Sequence, residues 1–219
     1  RRCDRLGVDV IGIGNAVAWA IKASEAGRID LDGSFGDPAF AMDLITQIAE
    51  RSTELGDVLA DGLSPTVERF GGESLIPTVK GMSLPPYDPR RVPSMGLAYA
   101  TSDRGPCHRR ARPVETEVFR SDSDDFDRQV RSVIADQNTT SILWSLIVDD
   151  FVGIAFESDY GAEWLRAVGY DLTGPELRAA GERIWNLTRL FNVREGWDRA
   201  DDDIPSWLQS TNRSGDVVG

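Results

Sequence analysis

The sequence predicts a mainly α fold: two helical domains with a long Pro-rich connector. Two patterns argue for helix. Apolar residues recur at the three- and four-residue spacing that lines one helix face, and the ends of those runs carry Asp or Thr caps, a following proline, or a closing glycine. The connector rests on a third observation. Five prolines fall within residues 76–96, and each disfavours regular helix around it. This stretch divides the 219 residues into a helical domain over 1–84, incomplete at its N-terminus, and a C-terminal helical domain over 85–219.

Residues 10–27 set Val10, Ile13, Val17, Ala20 and Ile21 on one face, and Gly27 stops the helix. Asp37 suits the next N-cap and Pro38 the first helical position, with Phe40, Leu44, Ile45 and Ile48 as the stripe. Residues 54–70 read as a further helix ending at Gly71-Gly72. The connector is expected to be extended and surface-hugging, and long ordered loops of this kind are often functional. Residues 113–125 are polar and acidic and lead into a helix from about Phe126 that carries Val130, Val133 and Ile134. A second helix is expected through Ile142–Val148, the longest apolar stretch, which reads as core. Two more fit 161–168 and 175–191, the latter capped by Thr173 and Pro175. The Ser/Gly-rich tail 210–219 is expected to fray.

Lys plus Arg number 24 against 36 Asp plus Glu, a formal charge of −12. This field repels phosphate, so no nucleic-acid partner is expected. No apolar run reaches the roughly 18 residues of a membrane span, and no signal-peptide core follows the start. No membrane partner is therefore expected, and the location reads as cytoplasmic. Two cysteines build neither a disulfide framework nor a four-thiolate metal site. Only Lys22 and Lys80 are lysines, against 22 arginines. Short carboxylates in place of ammonium stems keep a surface hydrated at molar salt, where charges are screened beyond about 3 Å. The pattern suits a halophile with high intracellular salt, and equally an ordinary acidic surface written in GC-rich codons. The opening Arg1-Arg2-Cys3 reads as the middle of a helix, hence as a piece of something longer.

One short motif occurs twice: Asp4-Arg5-Leu6-Gly7-Val8-Asp9 and Asp150-Phe151-Val152-Gly153-Ile154-Ala155. Each is Asp, two residues, Gly and an aliphatic, near the end of a helical stretch. A helix ending on a left-handed glycine leaves the Asp one turn earlier beside exposed backbone. A carboxylate accepts two parallel hydrogen bonds from the edge of a planar amino-pyrimidine or guanidinium. Two such units suit two copies of one flat heterocycle; they also suit two plain C-caps with solvated aspartates. The run Gly96 to His108 is rich in small residues and ends on the only histidine of the chain. Its imidazole suits proton transfer near neutral pH, or is a surface side chain in an arginine-rich loop. Trp144, Trp164 and Trp185 lie in helical patterns and read as core. Asp201-Asp202-Asp203 lacks calcium-loop spacing and reads as a solvated face or cap.

In order, the blocks CDRLGVDVIGIGNAVAWAIKASEAG, GDVLADG, VKGMSLPPYDPR, GLAYATSDRGPCH, DDFVGIAF, GERIWNLTRLFNVREGW and DDDIP cover nearly the whole chain. Through them the chain resembles the C-terminal helical part of the tungsten-dependent aldehyde:ferredoxin oxidoreductase family. The resemblance implies a tungsten (or molybdenum) bis-pterin cofactor between an N-terminal β-rich region and two helical domains, with the two Asp motifs holding the pterins. By that match Asp4 and Asp150 bond the pterin rings, with Gly7, Asp9, Gly153 and Ile154 close by. His108 falls on the family's active-site histidine, where it passes a proton, and Arg110 stands where a basic side chain meets a pterin. The implied reaction oxidises a small aldehyde to the carboxylate, and two electrons leave through a [4Fe–4S] cluster to ferredoxin. The implied partners are ferredoxin, the aldehyde, and the β-rich region in the same or another chain.

The chain also departs from the family. The cysteine that ends the second motif and ligates the cluster is Ala155 here, and a methyl group cannot bind iron. The resemblance puts the other three cluster cysteines upstream of residue 1. Cys3 and Cys107 lie elsewhere and read as small buried residues, so no protein metal ligand is assigned. The expectation is an enzyme part that binds neither metal nor pterin and is inactive as an isolated chain. The alternative is a degenerate or split-gene paralogue fragment that keeps the fold without redox activity.

Overall fold

The computed structural model describes residues 1–114, 117, 125–153, 155 and 159–209. It is mainly helical, and backbone proximity divides it into two units, Arg1–Pro86 with Pro205–Trp207, and Tyr87–Ile204 with the described residues after Trp207. The expected fraying of 210–219 lies outside the described residues.

In the first unit α1 (Arg2–Leu6) closes on Gly7, left-handed at φ 70°. The N–H groups of Gly7 and Val8 return to the carbonyls of Asp4 and Cys3, a Schellman close that a residue without Cβ takes unstrained. Asp9 caps α2 (Val10–Glu25), and α2 ends before the left-handed Gly27. Asp37 caps α3 (Pro38–Glu50) by accepting from Ala39 and Phe40. The core sets Ala16, Trp19, Ala20 and Ala23 of α2 against Leu44 and Ile48 of α3. Val10, expected on that stripe, is instead exposed at the mouth of α2. The expected helix over 54–70 is two, α4 (Glu54–Ala60) and α5 (Leu63–Phe70), because Gly62 turns to φ 102° between them. Inside the connector, Lys80 and Gly81, both at positive φ, fold β1 (Thr78–Val79) back on β2 (Met82–Ser83).

In the second unit α6 (Pro93–Thr101) begins within the proline-rich stretch. Proline is tolerated in a first helical turn, where its missing N–H has no partner to lose. Met95, Ala98 and Tyr99 of α6 are fully buried. α7 (Phe126–Ser145) runs unbroken through the boundary expected between two helices. Its Asn138-Thr139-Thr140 segment consists of weak helix formers. Packing overrides that preference: Gly181 of α10 (Gly174–Arg194) lies directly on the Asn138 carbonyl, in a contact too close for any Cβ. Between these long helices lie α8 (Asp150–Gly153) and α9 (Ala162–Ala167). Ile142, Ala162 and Leu177 join α7, α9 and α10 in one core cluster, and Ala98, Ala111 and Val133 form a second. Thr173 and Glu176 complete a capping box at the start of α10. A last turn, α11 (Ser206–Gln209), ends the described chain. No helix among the described residues is long and apolar enough to cross a membrane.

Candidate functional site

The first Asp motif is built as its sequence predicts. The α1 close leaves the Asp4 side chain 84% exposed, one turn before the left-handed Gly7, with the Arg1 amino group at 3.2 Å. Asp9 is used locally: its carboxylate accepts the Gly12 N–H at 2.5 Å as the cap of α2. Beside Asp9, within the same unit, lies a cleft of about 350 Å³ whose lining includes Val8, Asp9, Ile13, Leu59, Arg51 and Ser83. Apolar walls with a carboxylate and a guanidinium at the edge suit a small organic ligand. Arg51 is fixed there by Asp61 at 2.6 Å and Asp57 at 2.8 Å, and these two carboxylates raise its pKa.

The second motif is built differently. α7 closes on Ile147 at φ 59°, whose N–H and that of Val148 return to the Trp144 and Leu143 carbonyls. Asp149 then starts α8: its carbonyl accepts from Val152 and Gly153, and its carboxylate from the Phe151 N–H at 2.9 Å. Asp150 is therefore the first residue of the short α8, whose last residue is Gly153. Gly153 keeps helical backbone and is absent from the positive-φ glycines. Its missing Cβ makes room for Leu143, whose Cδ1 would stand 3.0 Å from a side chain there. The expectation of two alike left-handed closes is corrected on this point. Ile154 lies outside the described residues, and Ala155 is exposed.

His108 is half-buried, its ring 5.4 Å from that of Tyr87. The Tyr87 carbonyl accepts the hydroxyl of Tyr99 at 3.3 Å, and burial pushes the Tyr99 phenol well above its usual range, so it stays a neutral donor. Arg109 reaches the start of α8, with Asp149 at 3.7 Å and the Phe151 ring at 5.0 Å beneath its guanidinium. The structure thus brings the histidine loop and the second motif together. Arg110 gives its Nε and Nη2 to the carboxylate of Asp103, with side chains only 13% and 5% exposed. Its guanidinium carbon lies over the Trp144 ring at 4.8 Å and the Trp185 ring at 5.8 Å.

Trp144 and Trp185 are accordingly half-buried rather than core, and Trp164 is largely exposed; the fully buried tryptophan is Trp19. Helical spacing cannot tell an indole covered by apolar side chains from one covered by guanidinium. Cys3 is buried as expected. Cys107 is only half-buried and accepts from Arg104 Nη2 at 2.9 Å. Asp202, expected in a solvated run, pairs with Arg189 at 2.8 Å. Sequence reasoning missed Tyr87, Asp103 and Arg109 as neighbours of the site. No local pattern marks them, because their place beside His108 depends on how the chain folds back on itself.

The family model for aldehyde ferredoxin oxidoreductase, domains 2 and 3, matches residues 1–218. The chain belongs to the aldehyde ferredoxin oxidoreductase family. It is 36% identical over 215 residues to the tungsten-containing aldehyde ferredoxin oxidoreductase of Pyrococcus furiosus, and 33% identical over 216 residues to that of Thermococcus kodakarensis. Each match takes 92% of this chain and 35% of the relative, so the chain spans about a third of the length of the curated relatives it matches. Ala155, where the resemblance expects a cluster cysteine, offers no donor atom, and Cys3 is packed in the core of the first unit. Among the described residues no group of three His, Cys, Asp or Glu side chains could hold a metal ion.

Proposed function

We propose that this chain is the helical part of a tungstopterin or molybdopterin aldehyde oxidoreductase, which oxidises small aldehydes to carboxylic acids and delivers electrons to ferredoxin. One contact chiefly supports this role. Arg109 spans to Asp149 and Phe151 and so draws the loop of the only histidine against the second Asp motif.

Asp4, Gly7 and Asp9 would hold one pterin, and Asp150, Gly153 and Ile154 the other, with Arg110 as a basic contact. The exposed Asp4 carboxylate and the cleft beside Asp9 fit such a group, since a carboxylate matches the donor edge of an amino-pyrimidine. When bound, the cofactor supplies the two-electron redox chemistry. Oxidation of an aldehyde with oxygen from water releases protons along with the electrons, so the site needs an acceptor that works near neutrality. An imidazole nitrogen of His108 suits that task, and half-burial against Tyr87 limits both its solvation and its motion. The acidic, lysine-poor surface supports a salt-rich cytoplasm as its setting. Ala155 favours a second reading, a degenerate or split-gene fragment that keeps the fold without redox activity.

Co-production of this chain with the complementary N-terminal region, in cells supplied with tungstate, separates the two. The enzyme reading expects retained tungsten and pterin and aldehyde-dependent reduction of a viologen dye. His108→Asn should abolish the dye reduction and leave the metal in place. Absence of metal and pterin, or full activity in His108→Asn, would overturn it.

A further inference from the structure

We infer that the Asp103–Arg110 ion pair, seated on Trp144 and Trp185, is the device that holds the His108 ring in position. The pair joins the two ends of loop 103–110, and the histidine lies within that loop. Both ends are fastened to the same two helices. Asn192 of α10 donates to the Asp103 carbonyl at 2.6 Å, while the Arg110 guanidinium lies over Trp144 of α7 and Trp185 of α10. Arg104 covers Trp144 as well, at 4.5 Å. Just beyond Arg110, Ala111 is buried against Ala98 and Val133. The neighbour of the imidazole is also fixed, because the buried Tyr99 hydroxyl donates to the Tyr87 carbonyl.

Energetics favour a geometric role over a stabilising one. Removing two charges from water costs about as much as their attraction returns, so a buried ion pair is weak evidence for stability. What the planar fork adds is direction: two bonds to one carboxylate, made over an indole ring, restrict rotation in a way that an ammonium group cannot. This inference rests on His108 as the proton-handling residue, and it concerns Arg110 as a positioning residue.

The solitary histidine makes the test direct, because its Hε1 resonance in the whole chain belongs to His108 alone. In the parent protein a nuclear Overhauser cross-peak is expected between His108 Hε1 and the Tyr87 ring. Arg110→Met should lose that cross-peak and shift Hε1 toward the free imidazole position, with helical circular dichroism retained. Arg110→Lys keeps the charge but loses the fork, and should lie between the two. An unchanged cross-peak and shift in Arg110→Met overturns the inference. So does global unfolding of both variants, since the pair would then be a stability element. The readout is the position of the ring, so its failure leaves the oxidoreductase role to be judged by metal and activity, and the reverse also holds.

Discussion

Gly181→Ala tests the contact on which the second unit is built. A Cβ at Gly181 would stand 2.3 Å from the Asn138 carbonyl oxygen and 2.9 Å from Ile142 Cγ1. The first obstacle is backbone and has no rotamer to change, so α7 and α10 must separate by roughly 1 Å, at which a packed contact forfeits about a quarter to a half of its dispersion attraction. Overpacking of this kind costs about 1–3 kcal/mol. Alanine returns about 0.8–1.0 kcal/mol as the better helix former. The expected net runs from about zero to a loss of about 2 kcal/mol, at most roughly 10 °C in the melting of that unit. Gly14→Ala in α2 is the control. Nothing lies within 4 Å of a Cβ there, so the same methyl should stabilise by about 0.5–1 kcal/mol. Urea unfolding with 5-fluorotryptophan labels reads the units separately, Trp19 reporting the first and Trp144 and Trp185 the second. If Gly181→Ala gains as much as Gly14→Ala, the two helices do not meet at Gly181, and the reason given for the continuity of α7 fails.

Ile147 is a β-branched residue at φ 59° with 91% of its surface exposed, so Ile147→Gly should relieve a left-handed strain of about 1–2 kcal/mol, partly offset by chain entropy; a thermal melt no higher than the parent's contradicts this. Thr173→Ala removes the hydroxyl that accepts the Glu176 N–H and should cost about 1 kcal/mol in urea unfolding. Asp159 accepts the Glu163 and Gly161 N–H groups, which hold its carboxyl below the ordinary 3.8. A carboxyl with a lowered folded pKa contributes stability above its unfolded value, and that contribution fades as pH falls from 3.8 through the folded value. Asp159→Asn should therefore show a shallower loss of melting temperature over that acid range, and an unchanged slope would count against the cap.

Half of the candidate site is legible in the amino-acid sequence. Asp4 with its closing Gly7, and the lone His108, are recognisable because a helix close or a solitary imidazole is announced by residues a turn apart or by composition. Tyr87 and Asp103 are not legible as neighbours of His108. Tyr87 is far from it along the chain, and a short loop such as 103–110 has many conformations until something outside it pins the ends.

The same distinction runs through the fold. Gly7, Gly27, Asp37 and Thr173 mark helix ends from sequence alone, because a cap is completed by backbone groups within a few residues of it. Only the tertiary structure decided that α7 is one helix, that Gly153 stays helical, and that Arg110 serves Asp103. Each outcome depends on a partner supplied by another element or the far end of a loop: Gly181 against Asn138, Leu143 against Gly153, and two indoles beneath one guanidinium. Local preference among these residues is worth a few tenths of a kcal/mol, about 0.7 at most for ordinary residues, and a close-packed contact outweighs it.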